Sequence, residues 1–179
     1  MEMTGSPDLP QLQVVIGDIT RQPDCDAIVN AANDRLMAGS GVCGAIFRAA
    51  GQAELASACR KLAPVGVSEA VITPGFQLPN AHIIHCVGPR YFFDPDPEAL
   101  LEKSYLNIIN LAEANGVASI AIPAISTGVY AFPVDAATRI CVTTFKQALP
   151  RLMHLKLIRF VVVSEEIATR CRNEIKKAA

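Results

Sequence analysis

The segment Ala27-Ile28-Val29-Asn30-Ala31-Ala32-Asn33 runs on to Gly39-Ser40-Gly41-Val42-Cys43-Gly44. An apolar, strand-like run therefore ends in small turn-forming residues, and an alanine-rich helical stretch follows. The same change recurs at Pro123-Ala124-Ile125-Ser126-Thr127-Gly128-Val129-Tyr130, after the apolar run that starts at Ser119. A loop of small residues between a strand and a helix presents backbone N–H groups to an anion without needing a cationic side chain. Two such loops point to a bound diphosphate, and the asparagines beside the first point to sugar hydroxyls. An asparagine amide both donates and accepts. Asn30 and Asn33, placed where the second strand runs out, either hold such a hydroxyl or a water, or satisfy the backbone of their own turn.

Outward from these loops, strand-like runs lie at residues 12–17, 27–30, 70–73, 82–87, 119–123 and 157–163. They are short, rich in Val and Ile, and bounded by Gly, Pro or polar residues. Helical patterns fill the gaps. Residues 42–62 are helical with a break near Gly51. Leu101, Tyr105, Ile108, Ile109 and Ala112 share one helical face, and Val134, Ala137, Cys141, Phe145 and Ala148 share another. Asp96 is an N-cap candidate ahead of Pro97, and Ser164 is one ahead of Glu165 and Glu166. This alternation predicts an α/β fold, a three-layer α/β/α sandwich around a mixed central sheet. One domain covers 1–179, with its core over about 12–175 and loose ends at 1–10 and 176–179.

Composition bounds the function. The 179 residues carry a formal net charge of -1 and are 51% hydrophobic with no tryptophan. No global charge draws the chain to nucleic acid or to a membrane, and no aromatic, basic stripe suits RNA. No apolar run reaches the roughly 18 to 20 residues that span a bilayer, and the N-terminus lacks a secretory pattern. Cys25, Cys43, Cys59, Cys86, Cys141 and Cys171 are widely spaced, without a Cys-x-x-Cys pair. They read as reduced thiols of a cytoplasmic protein and not as a disulfide framework or a zinc site. No metal and no cofactor is implied. No lysine occurs before Lys61 or between Lys103 and Lys146. The two loops must therefore hold a phosphate by N–H groups and helix dipoles, an arrangement poor for phosphoryl transfer. There is no Gly-Lys-Ser/Thr of a P-loop, and Gly39-Ser40-Gly41 with Gly44 is only a partial dinucleotide fingerprint.

Taken in order, Gly17-Asp18-Ile19-Thr20, Val29-Asn30-Ala31-Ala32-Asn33, Gly41-Val42-x-Gly44-Ala45-Ile46, His85-x-Val87-Gly88-Pro89 and the 123–130 loop resemble the macrodomain, the ADP-ribose-binding module. The likeness covers nearly the whole chain from Leu12 and is strongest to the MacroD-type bacterial proteins. These are described as O-acetyl-ADP-ribose deacetylases and mono-ADP-ribosyl hydrolases. The resemblance implies a ligand, ADP-ribose or O-acetyl-ADP-ribose, and mono-ADP-ribosylated proteins as partners. Asp18 would accept from the adenine amine beside the Ile19 backbone. Asn33 would contact the distal ribose, which Tyr130 borders, and Asn30 is a ligand-binding candidate beside it. Gly39, Ser40, Gly41, Val42 and Cys43 would wrap the diphosphate together with Ser126, Thr127, Gly128, Val129 and Tyr130. Val163 would wall the adenine where the family places an aromatic ring.

Two further departures bear on chemistry. MacroD-type enzymes have aspartate where this chain has Cys43, and usually histidine where it has Phe47; alphavirus-type macrodomains resemble it in carrying Gly-Val-Cys. A helix N-terminus lowers a thiol pKa, so Cys43 joins Asn33 and Tyr130 as a candidate catalytic residue. Its other reading is a small residue that fits beside the diphosphate, since only His82, His85 or His154 could be brought to it as a base. The reaction expected is a metal-free, substrate-assisted attack of water on an ADP-ribosyl ester. The alternatives are an ADP-ribose reader without turnover, and a regulatory interaction module.

Overall fold

Six short strands alternate with five helices in the computed structural model, which describes residues 9–177. The strands are β1 (Gln11–Ile16), β2 (Ala27–Ala32), β3 (Ala70–Pro74), β4 (His82–Val87), β5 (Ser119–Ile122) and β6 (Leu157–Val162). The helices are α1 (Gly41–Ala50), α2 (Gln52–Arg60), α3 (Pro97–Ala114), α4 (Val134–Ala148) and α5 (Glu165–Lys176). The sheet order is β1-β6-β5-β2-β4-β3. The first five strands in that order run parallel, and β3 pairs antiparallel to β4 at the edge. The β4-α3-β5 and β5-α4-β6 connections are helical crossovers between strands that run parallel, while β3 and β4 are joined without a helix and pair antiparallel.

Successive residues of a strand serve opposite layers. Ile28, Ile83 and Val161 pack with Ile46 and Phe47 of α1 and Leu55 of α2. Val29, Ile84 and Ile158 pack on the other face with residues of α3, α4 and α5 such as Tyr105, Phe145 and Cys171. Both faces are covered, which is why the inner strands read as continuous apolar runs. Gly51, with φ of +93°, separates α1 from α2 at the expected break. Ser164 caps α5, its Oγ accepting from the Ile167 amide at 3.3 Å.

Three expectations change. Asp96 precedes α3, but its φ of +46° is left-handed and its side chain makes no capping bond; a side-chain cap needs extended backbone at that position. Lys176 closes α5 and is not a loose end. Of the loose N-terminus, 1–8 lie outside the described residues, while Leu9 and Pro10 lead into β1.

The third change concerns β2, which extends to Ala32 and holds Asn30 inside the strand. Asn30 is 1% exposed and sits opposite His85 of β4 in register. Its Nδ2 lies 3.0 Å from His85 Nδ1, and His85 Nε2 lies 2.9 Å from Thr73 Oγ1. The Thr73 hydroxyl donates to the Pro74 carbonyl at 3.1 Å, so it accepts from a protonated Nε2. That fixes the tautomer: Nδ1 carries the lone pair and takes the Asn30 amide proton. Burial pushes the His85 pKa from 6.5 down to about 4.

Because the unfolded imidazole takes up a proton near 6.5 and the folded one only near 4, stability falls as pH drops through that window. The loss is of order 3 kcal/mol at most. Urea unfolding of wild type and His85→Gln between pH 7 and 4.5 checks this: the variant shows the shallower dependence on pH.

Candidate functional site

The C-terminal ends of β6, β5 and β2 open together at one edge of the sheet, where ligands of open α/β folds sit. A cleft of about 430 Å³ lies there, within the size range of small-molecule sites. Val161, Val162, Val163 and Ile167 line it on the β6 side, the 123–130 loop after β5, and Asn33 with the 39–43 loop after β2. No charged side chain lines it among the described residues.

The first loop is shaped by close backbone approach. A Cβ on Gly44 would overlap the Gly39 carbonyl oxygen, so only glycine lets the loop fold onto α1. Ser40 occupies the N-cap position without a side-chain cap, and the Gly44 amide reaches back to Ser40 O at 3.3 Å. The amides of Gly41, Val42 and Cys43 have no acceptor among the described residues. They face forward from the positive end of the α1 dipole.

The second loop closes on itself. Thr127 Oγ1 donates to Ala124 O at 2.8 Å, the Ala131 amide to Gly128 O at 2.9 Å, and the Phe132 amide to Ser126 O at 2.9 Å. Ser126 and Ala131 take φ of +67° and +56°. Strain of this kind in residues other than glycine gathers at ligand sites. The intervening amides of Thr127, Gly128, Val129 and Tyr130 have no acceptor among the described residues. Gly88 after β4 backs this loop: a Cβ there would overlap Ser126 Oγ, itself buried without a partner.

The polar side chains are placed differently from one another. Asn33 lines the cleft, and its amide clamps Met37: Nδ2 donates to Met37 O at 2.8 Å and Oδ1 accepts from the Met37 amide at 3.0 Å. Cys43 also lines the cleft, and its thiol donates to Met37 O at 3.4 Å. Burial pushes the Cys43 pKa up, so the thiol is neutral near pH 7. Burial, and then the carboxylate of Asp34, also raises the Tyr130 hydroxyl. Asn30 does not line the cleft; its Nδ2 stands 3.8 Å from Cys43 Sγ, supporting α1 from beneath.

Asp18 and Ile19 stand outside the lining as well. The Gly17 amide donates to Val162 O at 3.0 Å, so their turn leaves the sheet beside Val163. Asp18 Oδ1 accepts from the Thr20 hydroxyl at 2.7 Å and the Thr20 amide at 2.8 Å. Those bonds, the hydroxyl first, hold the Asp18 carboxyl below its usual range, and the exposed Arg21 guanidinium stands 3.9 Å from Oδ2. Arg159 anchors this turn region, its guanidinium bonding Gln22 at 3.0 Å and Asp24 at 2.5 Å.

The motifs did not identify Gly88, Pro123, Ala124, Val162 or Ile167 as lining residues. The run to Val163 followed by the Ser164 cap carried a signal for the last two, since the third residue of a capped helix must turn back onto the strand it follows. All six cysteines are buried free thiols. Among the described residues no three His, Cys, Asp or Glu side chains gather where a metal could sit, and no helix is long and apolar enough to cross a membrane.

Comparison with known proteins extends this picture. Residues 29–141 match the Macro domain family. A Citrobacter rodentium protein named O-acetyl-ADP-ribose deacetylase is 48% identical over 161 residues, 87% of this chain and 90% of that protein. The Oceanobacillus iheyensis macrodomain with ADP superposes with a TM-score of 0.89 at 38% identity, covering 96% of this chain and 93% of its own. The Trypanosoma brucei macrodomain in complex with ADP-ribose gives a TM-score of 0.83 at 34% identity, over 90% of this chain and 68% of that one. With the family matched over more than half of the chain and close relatives covering most of it, this chain belongs to the macrodomain family.

Proposed function

We propose that the protein binds ADP-ribose and hydrolyses ADP-ribosyl esters, releasing the acyl group of O-acetyl-ADP-ribose or freeing the side chain of a mono-ADP-ribosylated protein. One observation carries this reading. Two loops border a single uncharged cleft, and each leaves consecutive backbone amides without an acceptor. A diphosphate supplies acceptors for both sets. Adenine then falls on the apolar side at Val163 and Ile167, with Asp18 Oδ2 as acceptor for its amine and the Ile19 backbone beside it. The distal ribose falls at Asn33, Cys43 and Tyr130. The relatives' names point the same way, and the six free thiols suit the cytoplasm.

The chemistry follows from what lines that end. Cys43 is neutral and serves as a hydrogen-bond donor and not as a nucleophile. No histidine or carboxylate lines the cleft to act as a base. Water must therefore be aimed by the substrate's own phosphate oxygen and by the amide of Asn33. Tyr130 closes the ribose side, and positioning replaces a strong base. The reaction balances as ester plus water giving ADP-ribose plus carboxylic acid. The neutral thiol at Cys43 also supports a second reading, a reader that holds ADP-ribose without turnover.

Titration calorimetry with ADP-ribose, followed by turnover of O-acetyl-ADP-ribose on the same sample, tests both. Saturable heat with acetate release is expected. Binding without release selects the reader, and no heat at millimolar ligand rejects the cleft assignment. Asp18→Asn keeps an acceptor for Thr20 but turns Oδ2 into a donor facing the adenine amine. Losing a charge-assisted bond worth about 1.5–3 kcal/mol weakens ADP-ribose binding by roughly ten- to hundred-fold. An unchanged Kd would remove the nucleobase from that end. Cys43→Asp places a carboxylate beside Asn33, and acetate release per enzyme is expected to rise at least several-fold; a fall would show that water is not activated from that position.

A further inference from the structure

The turn at residues 90–94, at the far end of the cleft, lies outside its lining. It leaves β4, the neighbour of β2, and so emerges opposite the β6 side. Gly88 lines the cleft, and three residues on, the Tyr91 amide donates to Tyr130 O at 3.0 Å. The Tyr91 ring stands edge-on to Phe132, with centroids 5.0 Å apart, and to Phe92 at 5.1 Å. Arg90 locks the turn. Its amide donates to Asp94 Oδ2 at 2.6 Å, its guanidinium to Asp94 Oδ1 at 2.9 Å, and the amides of Phe93 and Asp94 return to its carbonyl. The guanidinium also lies over the Phe93 ring at 5.7 Å.

This stiff turn displays two phenylalanines to solvent, Phe92 at 76% and Phe93 at 79% exposure. Met37, clamped by Asn33 and bonded by Cys43, is exposed at the same end. Exposed aromatic side chains held rigidly beside a site mark recognition surfaces, because little ordering entropy is lost when they are covered.

We infer that the 90–94 turn is a docking ledge for the polypeptide of an ADP-ribosylated protein, with Phe92 and Phe93 receiving an apolar side chain next to the modified residue. The inference rests on the reading above, in which the distal ribose lies against Tyr130. Whatever is joined to that ribose leaves the cleft where Tyr91 is bonded to Tyr130, so the ledge continues the cleft along the attached chain. An acetyl group is too short to cover two rings. Asp94 matches the Arg90 charge and Asp96 follows, so the ledge offers no net positive charge to nucleic acid or anionic lipid.

The test compares two ligands on the intact protein: ADP-ribose, and a peptide that carries ADP-ribose through a hydrolysis-resistant amide next to a leucine. Wild type is expected to bind the conjugate at least five-fold more tightly than ADP-ribose. The double variant Phe92→Ser/Phe93→Ser is expected to bind both equally, with the ADP-ribose Kd and the melting temperature unchanged. Wild-type binding of ADP-ribose with no gain from the peptide overturns the ledge and leaves the cleft assignment standing. Equal loss of both ligands in the variant overturns it too, since the phenylalanines would then support the cleft. Failure of wild type to bind either ligand overturns the cleft assignment, and the ledge with it.

Discussion

Backbone amides left without an acceptor at two facing loops are the constraint on which the rest of this architecture turns. An N–H held away from both water and a carbonyl is costly, so a fold keeps such groups only where it leaves them open to a partner. Here they stay open because the chain spends its neighbouring bonds elsewhere. The Ser126 carbonyl is taken by Phe132, that of Gly128 by Ala131, and that of Ala124 by Thr127 Oγ1. These carbonyls are satisfied, and the amides of residues 127–130 are not. Two steric facts preserve the arrangement: Gly44 admits the Gly39 carbonyl, and Gly88 admits Ser126. A methyl group at either position would push a loop away from its support.

Much of this was legible in the sequence because small residues leave a strong local signature. Glycine and serine runs after Val29 and Ile122 could only be turns, and their charge-free composition restricted how an anion could be held. Strand count and helix faces followed from periodicity, since both layers demand continuous apolar runs. What stayed hidden was tertiary in origin. Asn30 is a poor strand residue on propensity alone, and nothing local shows that His85, 55 positions away, would meet its Nδ2. The Asp96 side chain looked like a cap because residue type and spacing fit; its left-handed backbone is set by the turn before it, where Arg90 engages Asp94.

The buried pairing of Asn30 with His85 joins the fold to the chemistry. Asn30 lies under Cys43, and Cys43 lies third in α1, whose forward amides form half of the anion site. A neutral imidazole with one defined tautomer is a stable partner there, whereas a charged one would turn a donor at Nδ1 towards an amide nitrogen that also donates. The same low-polarity surroundings that keep His85 neutral keep Cys43 protonated. The site therefore gains rigidity by the means that deprive it of a general base, and any hydrolysis must draw its driving geometry from the bound substrate.

Strand order gives the cleft its direction. Because β6 and β4 lie on opposite sides of β5 and β2, one end is walled by valines and the α5 isoleucine, and the other runs out past Tyr130 to the 90–94 turn. The first end is backed by the turn after β1, which the Gly17–Val162 bond ties to β6, and so suits the invariant part of a ligand. The second is open and edged by aromatic rings, and so suits the part that differs between substrates. A nucleotide sugar has this same polarity: its base never changes, while the group on its distal ribose does. The parallel sheet does more than support the loops. By placing β4 beyond β2 it aligns the variable end of the ligand with a rim of the cleft where two phenylalanines are held on a braced turn.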